Sequence, residues 1–272
     1  MLAFKYQQHR AKVTLPCYLQ PKLDGIRMLF QAGYCQSRDE HLWAPQMHQH
    51  IRSALANITD DVILDGELYI HGMPLQKINS FCSLHPNATP KPNSEQLQYH
   101  VFDCYLPLQP DMPFSARTEW LSFSLSHIGS PVHIVPTHRI TEAEDLESYH
   151  TQYRDAGYEG TMIRRADSPY GTELTCGNKE NRWTHLLKRK DWLDSEYQII
   201  DFETTTGDKG ERGFRLICVT EEGLEFAVGT GLSDLEVTRY AENPPIGKKA
   251  RLRYDIVSSD GKPLKATLEA IL

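Results

Sequence analysis

No stretch of this chain is long and apolar enough to cross a bilayer, and Met1 to Arg10 contain no apolar run of the kind a signal peptide needs. A membrane role is excluded on that pattern, and a cytoplasmic location is expected. The six cysteines (Cys17, Cys35, Cys82, Cys104, Cys176, Cys218) form no C-x-x-C pair and no Cys/His cluster at metal spacing. That spacing predicts reduced thiols in preference to a zinc-built or disulfide-built fold. Positive charge is in deficit, with 29 Lys and Arg against 36 Asp and Glu, for a net charge of -7. Such a chain does not coat nucleic acid nonspecifically, although a local basic face can still grip it, because binding follows the local field. Internal repeats and low-complexity tails are absent as well. What remains is ordinary for a globular protein: 40% hydrophobic and 24% charged residues over 272 positions, enough for one large domain or two modest ones.

Up to about residue 190, short strand-like runs alternate with loops and a few helical stretches. Val62–Ile70, Leu97–Tyr105 and Thr161–Arg164 read as strands, and the spacing predicts helices over His48–Ala56 and Glu142–Ala156. Thr141 and Glu144 suit a capping box before the second helix. Pro86–Pro92, with its three prolines, reads as a loop. After Trp192 the texture changes. Glu196–Thr204, Arg215–Thr220 and Leu224–Gly229 read as strands. Ser233–Asn243 follows as a helix opened by a Ser N-cap with Glu236 three places on, and Lys249–Val257 and Leu264–Ile271 read as two more strands. Three strands, a helix and two strands is the order of a small OB barrel, whose face commonly binds nucleic acid.

The strongest chemical signal is Lys22-Leu-Asp-Gly-Ile-Arg27, a K-x-D-G-x-R pattern. A free lysine ammonium, with its pKa near 10.4, is protonated at neutral pH. A lysine nucleophile therefore needs neighbouring cations or desolvation, and Arg27 and a second lysine are suited to supply the former. Weaker signals follow in order. They are Ser37-Arg38, Asp65-Gly-Glu67, the strand Tyr99-His-Val-Phe102-Asp103, Glu159-Gly-Thr-Met-Ile-Arg164 and Lys188-Arg-Lys190. Each alone has a plainer reading: a surface turn for Asp65-Gly-Glu67, a core residue for Phe102 or Met162, a solvated strand end for the lysines. Their shared order is not something isolated coincidences produce.

Taken together, these motifs resemble the covalent nucleotidyltransferases, and the ATP-dependent DNA ligases in particular. The resemblance implies an α+β fold, a nucleotidyltransferase (adenylation) domain of antiparallel sheets and flanking helices over residues 1–191, followed by an OB-fold β-barrel over 192–272. It implies that Lys22 attacks the α-phosphorus of ATP, and that Gln20, Lys22, Arg27, Glu67, Phe102, Met162, Lys188 and Lys190 bind the nucleotide. Within that set Glu67 meets the ribose hydroxyls, while Phe102 and Met162 cover the two faces of the adenine. Arg38 is expected to hold the 5′-phosphate of a nick, with Lys22, Lys188 and Lys190 beside it as the catalytic cations. Glu159 and Asp65 are expected to bind Mg²⁺ (or Mn²⁺). The partner implied is nicked duplex DNA, handled by a monomer with no obligate protein partner.

The nucleophile lies only 22 residues in, which is expected of the minimal two-domain form. Two departures stand out. The family's last motif, normally arginine-bearing, falls on Pro263–Leu272, where Lys262 and Lys265 are the nearest cations. The loop Thr204–Phe214 is too short for a DNA-enclosing clasp, and Lys209 and Arg212 within it and Arg215 just after it are its candidate phosphate contacts. Two alternatives stay open: an RNA ligase or capping enzyme using the same chemistry, and a noncatalytic nucleic-acid-binding module.

Overall fold

The computed structural model describes residues 1–172, 182–206, 212–258 and 260–272. Cys176 and Lys209 lie outside the described residues. The chain divides into two compact units, Met1–Arg189 and Lys190–Leu272.

In the first unit the strands are β1 (Leu2–Lys5), β2 (Cys17–Lys22), β3 (Ile26–Gln31), β4 (Tyr34–Ser37), β5 (Ile63–Tyr69), β6 (Gln98–Tyr105), β7 (Val132–Ile134), β8 (His138–Ile140), β9 (Gly160–Arg165) and β10 (Arg182–Arg189). They form two five-stranded sheets, ordered β1-β10-β9-β2-β8 and β4-β3-β5-β6-β7. Pairing is antiparallel except at β1/β10 and β6/β7, which are parallel. The expected antiparallel sheets with flanking helices are present, with these two parallel pairs at their edges. A parallel pair requires a crossover, and the helix Phe114–Leu125 between β6 and β7 supplies it.

Alternation along each strand sorts the side chains. Cys17 and Leu19 of β2, Ile163 of β9 and Leu187 of β10 pack with Leu146 and Tyr153 of the helix Glu144–Asp155. Met28, Phe30, Leu64, Leu68, Tyr99 and Val101 of the other sheet pack with Ile51, Leu121 and Leu125 from helices Gln49–Ala54 and Phe114–Leu125. The intervening positions (Gln20, Lys22, Arg27, Glu67, Met162, Arg164, Leu186, Lys188) carry the polar chemistry and line one cavity. The capping box at Thr141 does not form. The helix begins at Glu144 with Ala143 as its N-cap and no side-chain cap, two places beyond the threonine.

The second unit holds β11 (Leu193–Thr206), β12 (Arg212–Val219), β13 (Glu225–Val228), β14 (Lys249–Tyr254), β15 (Ile256–Val257), β16 (Pro263–Leu264) and β17 (Thr267–Ile271). Its five-stranded sheet runs β13-β12-β11-β14-β17, with β15/β16 a separate hairpin. Among the described residues no ladder closes the sheet into a full barrel. Leu268 N–H donates to the Thr230 carbonyl at 2.9 Å, one bond where a ladder would run. This is the partly open form of the OB fold. The helix Asp234–Glu242 is opened by the expected capping box, with Ser233 N–H donating to Glu236 Oε2 at 2.8 Å. Ala250, Leu252 and Tyr254 point into the core, and Lys249 and Arg251 point out, where both meet Glu196. Arg215 pairs with Glu203 at 3.3 Å on the surface. The backbone of Arg212 begins β12.

Candidate active site

A cavity of about 210 Å³ lies in the first unit, with β1, β2, β9 and β10 on one wall and β3, β5 and β6 on the other. Register aligns its functional groups. Gln20 pairs with Met162 across β2/β9, and Met162 pairs with Lys188 across β9/β10, so the three form one row. Lys22 ends β2 opposite Gly160. The tight path from Lys22 to Arg27 needs a glycine. A Cβ on Gly25 would overlap the Leu68 carbonyl and lie 2.7 Å from Glu67 Cγ. Gly66 is equally enclosed, a Cβ there lying 2.5 Å from the His100 carbonyl oxygen and 2.6 Å from the Tyr99 ring. The glycines of both motifs are thus explained by close backbone approach.

Lys22 Nζ is ion-paired with Glu159 Oε2, and the Lys22 carbonyl accepts the Glu159 N–H at 3.0 Å. Glu67 stands behind them. Burial pushes its carboxyl up to about 7, against the opposing pull of Lys22, Arg27 and a hydrogen bond from the Gly25 N–H. Asp65, expected at a metal, is fully buried, and both its oxygens are already taken. Oδ1 accepts Arg27 Nε at 2.8 Å, and Oδ2 accepts Arg27 Nη2 at 2.7 Å and the Tyr170 hydroxyl at 2.6 Å. A carboxylate so occupied is a brace for Arg27, and this geometry favours that role over metal ligation. Burial lowers the guanidinium pKa of Arg27, but neighbouring Asp65 more than offsets this and raises it, so Arg27 stays charged.

Phe102 owes its place to a bulge. Asp65 faces Asp103 and Gly66 faces Val101, which leaves Phe102 as the extra residue of β6. It is half-buried, lines the cavity and packs against the cluster that holds Leu23, Tyr69 and Ile78, whereas Val101 belongs to the core on the other side of the sheet. Arg38 reaches the same cavity, largely exposed and 3.3 Å from Asp39. Lys190 belongs to the second unit, where its ammonium is 3.1 Å from Asp255 Oδ2.

Several residues escaped sequence reasoning. Met1, Leu2 and Ala3 contribute to the cavity wall, and the Met1 carbonyl accepts Arg27 Nη1 at 2.6 Å. Tyr170 completes the Asp65 cage. Asp103 anchors a buried network in which Arg117 Nε and Arg164 Nη1 each donate to it at 2.7 Å. Two guanidiniums on one carboxylate hold it below the usual carboxylate range despite its burial. Arg164, as the last residue of its motif, was in plain sight. Arg117 carries no signal beyond its place on the buried face of a helix.

Residues 1–190 match the family model of the ATP dependent DNA ligase domain. A DNA ligase of African swine fever virus (isolate Pig/Kenya/KEN-50/1950) is 31% identical over 202 residues, covering 71% of this chain and 45% of the viral protein. The chain thus spans less than half the length of that relative. A solved structure from a structure-function study of Lig E DNA ligases superposes with a TM-score of 0.78 at 21% identity, covering 100% of this chain and 98% of the other. The Chlorella virus DNA ligase-adenylate gives 0.54 at 24% identity, covering 100% and 96%. At these identities the structural likeness establishes the fold, an α+β nucleotidyltransferase unit followed by an OB unit.

Proposed function

We propose that this chain, which belongs to the ATP-dependent DNA ligase family, seals 5′-phosphorylated nicks in duplex DNA through a lysyl-AMP formed on Lys22. The observation that carries this reading is the convergence of Lys22, Arg27, Glu67, Phe102, Met162 and Lys188 on one cavity. Chemistry of this kind needs a nucleophile, an apolar slot for a base and cations for phosphates, and these residues supply all three. Phe102 and Met162 offer faces for the adenine, Glu67 an acceptor for the ribose hydroxyls, and Lys188 and Arg27 charge for the phosphates. Lys190 and Arg38 are assigned to phosphates as well, Arg38 to the nick, where its planar fork suits two oxygens at once.

In the first step the Lys22 ammonium gives up a proton, for which the ion-paired Glu159 carboxylate is an acceptor in place, and the freed Nζ lone pair bonds to the α-phosphorus as the bond to pyrophosphate breaks. The ion pair with Glu159 engages that nitrogen and must open before the new bond forms. The AMP then passes to the 5′-phosphate of the nick, and the 3′-hydroxyl displaces it to form the phosphodiester. Positioning and charge neutralisation supply most of the catalysis in such transfers.

The metal is proposed to be Mg²⁺ or Mn²⁺, which neutralises phosphate charge when bound. Mg²⁺ sites commonly use one or two carboxylates plus substrate phosphates. Among the described residues no three carboxylates, histidines or cysteines form a protein-only cage, and Glu159, beside the nucleophile, fits the smaller role. We further propose residues 1–191 as the adenylation domain and 192–272 as the OB domain of a cytoplasmic monomer with no obligate protein partner. Among the described residues no helix is long and apolar enough to cross a membrane.

The test is incubation with labelled ATP and Mg²⁺, followed by a nick-sealing assay. Wild-type protein should become labelled and seal nicked DNA in preference to nicked RNA. Lys22→Ala should take no label yet still close a pre-adenylated nick. Label on the variant at another lysine would overturn the assignment.

A further inference from the structure

The amide of Gln20 has its orientation fixed from three sides. Its Oε1 accepts Arg164 Nε at 2.7 Å, and a guanidinium can only donate. Its Nε2 donates to the Phe102 carbonyl at 2.9 Å, and a carbonyl can only accept. The second Nε2 proton goes to Thr137 Oγ1 at 2.9 Å, and the Thr137 hydroxyl proton is itself committed to the Val135 carbonyl at 2.9 Å. Both amide protons are therefore engaged, and one lone pair of Oε1 is the hydrogen-bonding valence that remains. Gln20 is 2% exposed and lines the cavity together with Phe102 and Met162.

Arg164 is held as firmly as the group it holds. It is 3% exposed, with its guanidinium 5.2 Å from the Phe102 ring centroid and 4.8 Å from that of Phe114. Its Nη1 donates to Asp103, whose other oxygen takes Arg117. A buried guanidinium braced by a carboxylate and two rings has little freedom to leave Gln20.

We propose that Arg164 is a specificity-determining positioning residue. Acting through Gln20, it makes the base-binding wall an obligate hydrogen-bond acceptor, so that the cavity takes a 6-amino purine and rejects a 6-oxo purine. The inference rests on the nucleotide-binding reading above. An adenine amino group meets the free lone pair as a donor. Hypoxanthine or guanine brings a carbonyl against a carbonyl, and two acceptors left unpaired in a buried site are costly. Without Arg164, the Gln20 amide is free to rotate and offer Nε2 to a 6-oxo group.

The test measures protein labelling by ATP and by ITP, which differ at the purine 6-position and the adjoining ring nitrogen. Wild-type protein should favour ATP. Arg164→Met, which leaves the Asp103–Arg117 pair in place, should lower the ATP-to-ITP efficiency ratio at least tenfold. A purely structural role would slow both nucleotides alike. Thr137→Val disturbs no buried charge and should shift the ratio in the same direction. In Gln20→Met the ratio should collapse, and adding Arg164→Met should lower it no further. An unchanged ratio in both Arg164→Met and Thr137→Val overturns the inference, as does full additivity with Gln20→Met. Failure of the wild type to take label from ATP would instead overturn the nucleotide-binding reading itself.

Discussion

Lys22 and Glu159 are joined twice, by an ion pair between their side chains and by a hydrogen bond between their main chains. Strand register accounts for both. Lys22 ends β2 opposite Gly160, so Glu159 enters β9 beside the nucleophile and Gly160 puts no side chain between them. The side chains are 20% and 11% exposed, so removing one charge leaves the other poorly compensated. Glu159→Gln is expected to slow lysyl-AMP formation about a hundredfold, or about 2.7 kcal/mol in the barrier. It should also raise the Mg²⁺ concentration for half-maximal labelling. A slower reaction with an unchanged Mg²⁺ midpoint would confine Glu159 to holding the lysine.

Asp65 gives the contrasting case. With its oxygens on Arg27 and Tyr170, its removal should loosen Arg27 without touching the metal. Tyr170→Phe removes one hydroxyl from a buried cage and should raise the KM for ATP several-fold with little change in kcat. Asp65→Asn should do the same more severely. In neither variant should the Mg²⁺ midpoint move; a shift in Asp65→Asn would restore Asp65 to the metal.

Glu67 predicts a pH dependence. Burial raises its carboxyl from 4.5 to about 7, so the folded protein holds this proton more tightly than the unfolded chain. Its contribution to stability is therefore complete below about pH 4.5 and is lost as pH rises through 7. Glu67→Gln should be about as stable as wild type at pH 4.5 and more stable at pH 8, by up to about 3 kcal/mol in chemical denaturation. The same substitution should weaken ATP binding. In the wild type the KM for ATP should fall as pH rises through 7, because the charged carboxylate is the better acceptor for ribose hydroxyls. A flat profile, or no stability gain at pH 8, would show that Glu67 does not titrate there.

The parts of the site legible in sequence are those where chemistry fixes both residue type and spacing. Gly25 and Gly66 were readable because no other residue fits their backbone contacts, and Ser233 because its cap partner lies three places on. Phe102 was ambiguous by alternation alone. A bulge shifts the period at that point, and a bulge is set by the pairing strand as much as by its own residues. The Asp103–Arg117–Arg164 network was invisible for a different reason. Its members come from β6, β9 and a helix, and nothing local marks a charged residue as one that will be buried. The brace on Asp65 was missed likewise, since Tyr170 lies 105 positions away in the chain.

The close-packed glycines give a direct stability test. Gly25→Ala and Gly66→Ala each place a methyl against a backbone carbonyl that cannot yield without moving its strand. Overpacking of this kind typically costs about 1–3 kcal/mol, which should appear as a lower thermal midpoint. Gly33→Ala is the control for placing a methyl in open space, since nothing lies within 4 Å of a Cβ there, although its φ of +78° adds backbone strain. If Gly25→Ala were no less stable than Gly33→Ala, close approach would not explain the motif glycine.

The last prediction concerns Pro263–Leu272, the segment that resembles the family's final motif and that contains no arginine. Two lysines are the candidates to replace it, and the structure distinguishes them by their partners. Lys265 lies 3.8 Å from Asp255 Oδ2, which also takes Lys190 at 3.1 Å, and the Asp255 side chain is only 9% exposed. A sheltered carboxylate shared by two cations retains them. Lys262 lies 3.9 Å from Asp260, whose side chain is 60% exposed, and such a pair is worth about 0–1 kcal/mol. Lys262 is therefore the cheaper of the two to redirect toward a phosphate. Lys262→Ala is expected to slow lysyl-AMP formation about tenfold and to spare closure of pre-adenylated nicks. Lys265→Ala should have the smaller effect on labelling. Installing Lys262→Arg should speed labelling, because a guanidinium holds two phosphate oxygens where an ammonium is a point charge. If Lys262→Ala labels at the wild-type rate and Lys262→Arg brings no gain, the pyrophosphate is oriented by other residues, and the missing arginine has no substitute at this position.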